Sequence, residues 1–410
     1  MIPVEEAIKM ILAETHSLGP ERVGILQTAG RILAGDVFSD IDMPPFDKSS
    51  MDGYALKHQD VAGAPNDLEV VGLIPAGVYP DLHLEQGQAA KIMTGAPLPS
   101  GADSVQMVEK TEALPPNRVK ILEPVQQGKH VAKRGEIMRT NAKVLSKGAF
   151  ITPSIIGVLA TVGKKEVEVF KKPEVGILIT GDELVTVDRT PKAGQIRNSN
   201  GYVLYHQVRA CGAVPELLGI APDDPKQLTT KILSGLKKDV LLITGGVSMG
   251  DLDFVEDVFA ELGVRIFFDK MNIKPGKPSV FGKRKKTLVF GLPGNPVSAS
   301  TIFELIARPA LRKMMGLTQL HNIRQKARLQ TTFTSKTKRE NFAPAWTSFE
   351  NSQLITRPIE SKGSADVLAF AKSNSYIIIP SHVAVVKQGQ EVEVMLRDEF
   401  WKTCNLANSC

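Results

Sequence analysis

The chain reads as a multidomain α/β protein with additional all-β segments, and three features predict this. Its 410 residues exceed what one hydrophobic core supports. Val175 to Thr180, Asp239 to Thr244 and Thr287 to Phe290 are short, almost wholly apolar runs, each followed by a glycine turn. Strands of a parallel sheet, buried on both faces, have that composition. The flanking regions lack helical periodicity and carry short β-like runs between turn residues.

At the N-terminus, Val4, Ile8, Ile11 and Leu12 recur at helical spacing after Pro3, which predicts a surface helix ending near Gly19. The next hundred residues are rich in Gly, Pro and alternating runs such as Asp67 to Leu73, so a small β domain follows. Between the three apolar runs lie helical patterns, for example Val255, Val258, Phe259 and Leu262 on one face. Strand and helix then alternate as in an α/β sheet, whose ligands gather beyond the carboxyl ends of the strands. After about His321 that periodicity stops. Ser375 to Pro380 and Glu391 to Leu396 predict a C-terminal β domain.

Composition excludes several classes. Apolar residues make up 42% and charged residues 23%, which is ordinary globular usage. The formal net charge of +6 is spread over the chain without the dense basic tract of a nucleic-acid binder. The one basic run, Lys283 to Lys286, lies between two apolar stretches and reads as a solvated hairpin tip. Cys211, Cys404 and Cys410 form no CxxC pair and no disulfide framework, and the seven histidines show no HxxxH pair. A reducing, cytoplasmic setting is expected, with no zinc site, secretion signal or membrane span.

The chemistry gathers at the glycine turns. In ITGDEL, Asp182 and Glu183 follow a buried strand directly; they either cap a helix or serve a ligand. In TGGVSMGDLD, Gly245 and Gly246 free the backbone to approach an anion, and Asp251 and Asp253 either cap the next helix or hold a divalent cation beside ligand phosphate. In GLPGNPVSAS, Asn295 is placed to cap a helix that begins at Pro296. Lys274 and Lys277 flank Pro275 and Gly276, with Lys270 upstream, either as solvated lysines or as an oxyanion clamp. Gly246 to Gly250 also fits GxSxG, the nucleophile elbow of a serine hydrolase, with Ser248 as nucleophile. Only His321 and His382 follow it, both near or inside the predicted β domain, which weighs against a triad.

PPFDKSSMDGYAL (Pro44 to Leu56), AAKIMTGAPLPSGADSVQMVEKTE (Ala89 to Glu112), TGDEL, GQIRNSNGYVL (Gly194 to Leu204), TGGVSMGD, IKPGKP and GLPGNPVSA resemble, in order, the molybdopterin molybdenumtransferases, which include bacterial MoeA and the E domain of gephyrin. The resemblance implies an elongated homodimer of four domains. Residues 1–42 and 138–172 would form a discontinuous dimerisation domain and 43–137 an inserted β domain. Residues 173–320 would form the α/β molybdopterin-binding domain with a mostly parallel sheet, and 321–410 a C-terminal β-barrel. It implies insertion of molybdate into adenylated molybdopterin with release of AMP, in a cleft between subunits. Molybdopterin adenylyltransferase and molybdoenzyme recipients would be partners, with neither nucleic acid nor membrane involved.

By the same resemblance Asp52 and Thr94 act from the inserted domain, and Glu183, Asp224, Asp253, Lys270 and Lys274 from the α/β domain. Gly181, Asp182, Ser199, Asn200, Gly245, Gly246, Ser248, Pro293, Gly294, Asn295 and Pro296 would contact substrate. Lys274, Lys277, Ser298 and Ser364 would form the molybdate pocket, and Asp251 with Asp253 would bind Mg²⁺. Two positions depart from the family pattern. Ile137 follows Arg134, Gly135 and Glu136 where many relatives are acidic, and Pro344 stands where an arginine is common. Arginine is a bidentate oxyanion ligand that proline cannot imitate, so either neighbouring Arg339 substitutes for it or molybdate affinity is weaker. These departures keep open a catalytically weak pterin carrier or scaffold, and selectivity for tungstate is equally open.

Overall fold

A computed structural model describes residues 1–246 and 255–403. The chain divides into two compact units: Met1–Arg22, Gly30–Ala34 and Glu168–Cys410 form one, Val23–Ala29 and Gly35–Val167 the other.

The larger unit is built on a six-stranded sheet in the order Val214–Ala221, Glu174–Thr180, Val240–Thr244, Thr287–Leu292, Pro278–Arg284, Arg265–Lys270. The first four strands are mutually parallel, and the last two join by antiparallel pairing. The three apolar runs therefore lie side by side, with Ile179 opposite Thr244 and Thr244 opposite Leu292, so their glycine turns leave the same edge. Alternation along each strand feeds two cores. Val175, Ile177, Ile179, Val240 and Leu242 pack with Val4, Ala7, Ile11, Leu204 and Val208 on one face. Leu178, Leu241 and Ile243 pack with Leu228, Ile232, Val255, Val258 and Phe259 on the other.

The first helix spans Val4–Glu14 and stops short of Gly19. Its final carbonyls are taken by side chains: the Thr15 hydroxyl donates to Ile11 O at 2.7 Å and the Lys313 ammonium to Leu12 O at 2.6 Å. Satisfied carbonyls end a helix without glycine. The basic run does lie at a hairpin, where Arg284 pairs with Thr287. Lys283 is not simply solvated, because its ammonium lies 2.9 Å from both a carboxylate oxygen and the carbonyl of Glu14. Burial pushes the Cys211 thiol up to about 11, as suits an inert core cysteine.

The C-terminal strands close on themselves. Glu340–Glu350, Gln353–Pro358, Arg324–Leu329, Glu391–Leu396 and Ser375–Ile379 follow one another round a barrel, and the last pairs back to the first. Its interior holds Ala327, Leu329, Ala345, Ile377, Val392, Val394 and Leu396. The two-residue strand Ile273–Lys274 adds in parallel to the start of Glu340–Glu350, setting Lys274 opposite Asn341. No described helix is long and apolar enough to cross a membrane.

The smaller unit holds a six-stranded sheet in the order Ser104–Met107, Gly53–Leu56, Gln88–Ile92, Asn66–Ile74, Arg118–Ile121, Thr111–Leu114. It mixes antiparallel pairs with one parallel pair, Asn66–Ile74 with Gln88–Ile92. Gly53 leaves no space for a side chain, since a Cβ there would lie 2.0 Å from Gln106 O. Replacing Gly53 with alanine is expected to cost on the order of 2 kcal/mol through forced strand displacement, measurable as a lower midpoint in urea denaturation.

Candidate functional site

The three glycine turns converge as their strands dictate. Asn200, buried at the head of the helix Asn200–Ala210, donates to Thr244 Oγ1 at 2.9 Å and Gly294 O at 2.7 Å. Thr244 Oγ1 in turn donates to Pro293 O at 2.9 Å. One carboxamide thus fastens the second and third turns together. Among the described residues Asn200 Oδ1 has no hydrogen-bond partner. Gly245 adopts φ +91°, and a Cβ there would lie 2.4 Å from Thr180 O, so only glycine fits. Gly245→Ala is expected to lower stability by roughly 2 to 3 kcal/mol through combined left-handed strain and backbone clash, read as a shift in thermal melting.

Asp182 and Glu183 do not start a helix. Leu184–Val185 forms a short strand parallel to Ile196–Arg197, so helix capping is ruled out for both carboxylates. The β-branched neighbour and the paired backbone favour extension here. Asp182 Oδ1 accepts the Asp223 amide at 3.1 Å, tying the ITGDEL turn to the PDDP stretch. The Glu183 carboxylate folds against Gly181, where a Cβ would come within 2.5 Å of Oε2. Asp224 follows Asp223 in sequence, but its side chain caps the helix Pro225–Gly235 through the Gln227 amide at 2.9 Å. Ser199 immediately precedes the helix that carries Asn200 and makes no side-chain cap there.

Lys274, Lys277, Pro293, Asn295, Ser298 and Ser364 line one cavity of about 670 Å³. It opens beyond the carboxyl end of the strand Thr287–Leu292. Asn295 occupies the cap position of the helix starting at Pro296 but does not cap it. Its amide donates instead to Ser364 Oγ at 2.9 Å, and Ser364 O accepts the Val297 amide at 3.0 Å. A distant loop therefore replaces the expected local cap, satisfying a helix-terminal donor with backbone. The remaining wall comes from the barrel: Phe333, Asn341, Pro344, Pro358, Ile359 and Glu360, with Arg339. Arg339 donates to Ile273 O at 2.9 Å, which fixes the guanidinium beside the lysine pair. Sequence reasoning missed the apolar part of this wall, because barrel residues at these positions carry no motif.

Lys270 does not line the cavity; its ammonium pairs with Asp269 at 3.1 Å. Ser248, Asp251 and Asp253 lie outside the described residues. Among the described residues no group of three or more His, Cys, Asp or Glu side chains is placed to hold a metal ion. In the smaller unit Asp52 and Thr94 come together: Asp52 Oδ1 accepts the Thr94 amide at 2.7 Å and its hydroxyl at 3.1 Å. The amide first, and the hydroxyl after it, hold the Asp52 carboxyl below its ordinary range, so it is a carboxylate at neutral pH.

Comparison with known proteins identifies the family and the fold. Residues 2–163 match the MoeA N-terminal region (domain I and II), residues 176–313 a probable molybdopterin binding domain, and residues 326–396 the MoeA C-terminal region (domain IV). A molybdopterin molybdenumtransferase of Bacillus subtilis is 34% identical over 403 residues, covering 96% of this chain and 94% of the relative. One from Nostoc is 36% identical over 390 residues, covering 92% and 88%. The crystal structure of a molybdopterin biosynthesis MoeA protein from Pyrococcus horikoshii superimposes with a TM-score of 0.85 at 33% identity, over 97% of this chain and 99% of that one. Motifs, barrel closure and near full-length similarity lead to one assignment: the chain belongs to the molybdopterin molybdenumtransferase family.

Proposed function

We propose that this chain inserts molybdate into adenylated molybdopterin and releases AMP, completing the molybdenum cofactor. The observation that carries this reading is the convergence of Lys274, Lys277, Arg339, Ser298 and Ser364 on one cavity at the rim of a parallel sheet. Molybdate is a compact dianion, and two ammonium groups, a guanidinium and hydroxyls are the donors it requires. The apolar barrel wall lowers the local dielectric and strengthens each charge interaction with the anion. Adenylated pterin would lie along the adjoining turns, with Gly245 and Gly246 giving close approach to its phosphates and Asn200 holding the turns in register. The cavity residues then fix molybdate against the dithiolene sulfurs, and positioning supplies much of the rate.

Asp251 and Asp253 are the residues we assign to Mg²⁺, which would neutralise charge on the phosphates linking AMP to the pterin. Asp52 and Thr94 would act across a homodimer, each active site taking the smaller unit of the partner. On this reading the chain comprises a discontinuous dimerisation domain (1–42 and 138–172), an inserted β domain (43–137), the α/β domain (173–320) and the barrel (321–410). The setting is the cytoplasm, with a pterin adenylyltransferase upstream and apo-molybdoenzymes downstream.

In a purified assay with adenylated molybdopterin, added molybdate is expected to drive AMP release, and Asp253→Asn to abolish it while leaving pterin retention nearly intact. Equal turnover of mutant and wild type would instead favour a pterin carrier. Arg339→Ala is expected to raise the molybdate concentration for half-maximal AMP release roughly tenfold, the worth of one charge-assisted contact. An unchanged molybdate requirement would remove Arg339 from the pocket.

A further inference from the structure

The family chemistry uses the carboxyl end of the parallel sheet, yet the opposite end also carries a formed cavity. It measures about 430 Å³, within the usual range of ligand sites. Its lining includes Glu14, His16 and Leu18 after the first helix, Asp239 at the foot of a central strand, and Lys285 and Lys286 of the hairpin. The strand Val240–Thr244 separates Asp239 from the Gly245 turn, so the two sites lie at opposite ends of the same strand.

Its walls are tied in place by bonds that need no ligand. The Leu18 amide donates to Met314 O at 3.0 Å, and the Leu288 amide to Asp239 O at 3.0 Å. Lys283 clamps Glu14 at 2.9 Å, and Asp239 Oδ2 accepts the Glu174 amide at 2.9 Å. After these pairings the charge is unbalanced. Lys283 is neutralised by Glu14, whereas Lys285 and Lys286 form no ion pair among the described residues. Lys285 also adopts φ +55°, an uncommon conformation for a residue with a side chain. Met314 and Leu288 are buried and form an apolar floor, with Leu18 beside them.

We propose that this cavity binds a nucleoside monophosphate, with the phosphate on Lys285 and Lys286 and the base against Leu18, Leu288 and Met314. The cations match one phosphate group, since ammonium groups bind it as point charges. Glu14 and Asp239 each keep one carboxylate oxygen outside the bonds described above, suited to ribose hydroxyls or an exocyclic amine. The same carboxylates repel a bare polyanion, which disfavours nucleic acid or an acidic peptide.

Calorimetric titration of the full chain with AMP and with inorganic phosphate tests the assignment. Lys274→Ala/Lys277→Ala removes the oxyanion donors at the carboxyl end and saturating adenylated molybdopterin fills the glycine turns there, so titrations in that background report on the foot, where Lys285→Gln/Lys286→Gln removes the donors. AMP binding should survive in that background and weaken at least about tenfold when the foot pair is also replaced. Leu18→Ala should weaken AMP but leave inorganic phosphate unchanged. The exposed lysines leave folding intact, and a thermal melt checks this. Undiminished AMP binding when Lys285→Gln/Lys286→Gln is added in that background overturns the proposal, as does phosphate binding as tight as AMP. A polyglutamate peptide that binds through these lysines when AMP does not would also overturn it. None of these outcomes depends on molybdate insertion, so failure here leaves the proposed activity standing.

Discussion

Lys274→Ala is expected to lower molybdate-dependent AMP release by about 100- to 1000-fold at low molybdate, the usual loss when one preorganised electrostatic donor leaves a site. Lys274 is held at the mouth of the cavity by backbone pairing with Asn341, which the substitution preserves. The melting temperature should therefore barely move. Much of the lost rate should return at high molybdate, because Lys277 and Arg339 still attract the anion. Steady-state kinetics at two molybdate concentrations separates this from a folding defect. A loss independent of molybdate would mean that Lys274 serves the pterin phosphates instead.

Arg308→Ala should have the largest effect on stability, about 3 to 5 kcal/mol, because it strands a buried carboxylate. Arg308 and Glu304 are almost wholly inaccessible to solvent. The Arg308 Nη2 donates to Glu304 Oε1 at 2.8 Å, while Nη1 bonds Asp398. Asn322 and Gln207 complete the cage on Glu304 at 2.8 and 2.7 Å. Burial alone would raise the Glu304 carboxyl, but the Arg308 guanidinium outweighs it, leaving the group below its ordinary 4.5. A depressed carboxyl contributes stability above its unfolded pKa and loses it as pH falls through the folded value. The wild type should accordingly lose this contribution only in acid. In Arg308→Ala the strongest influence opposing burial is gone, leaving Asn322 and Arg397 against it, and Glu304 takes up a proton more readily. The gap between variant and wild type should then narrow as pH falls from 7 toward about 5. Urea denaturation across that range checks both the magnitude and the trend. Replacing the pair together, Glu304→Leu with Arg308→Met, should recover much of the loss.

The central sheet was legible because runs such as Val240 to Ile243 are apolar at every position and lead into a glycine turn, a signal local to the strand. The convergence of the turns follows from parallel register, and so it too could be anticipated. Features set by distant partners could not. The first helix stops at Glu14 because Lys313 caps it from 301 residues away, and Asn295 turns to Ser364 rather than to its own helix. The acidic pair after Thr180 looks like a helix start, yet Leu184 and Val185 pair with Ile196 and Arg197. The apolar wall of the cavity depends on barrel closure, and alternating strands give no sign of which residues will face a neighbouring sheet. Site residues carried by motifs were thus readable in sequence, while their supports became visible only in three dimensions.

The most direct test is anomalous scattering from molybdenum in crystals of the full chain soaked in molybdate. A molybdenum peak is expected in the cavity, placed so that the oxyanion's oxygens lie within about 3 Å of the ammonium groups of Lys274 and Lys277. Molybdenum elsewhere, with that cavity empty at saturating molybdate, would contradict it.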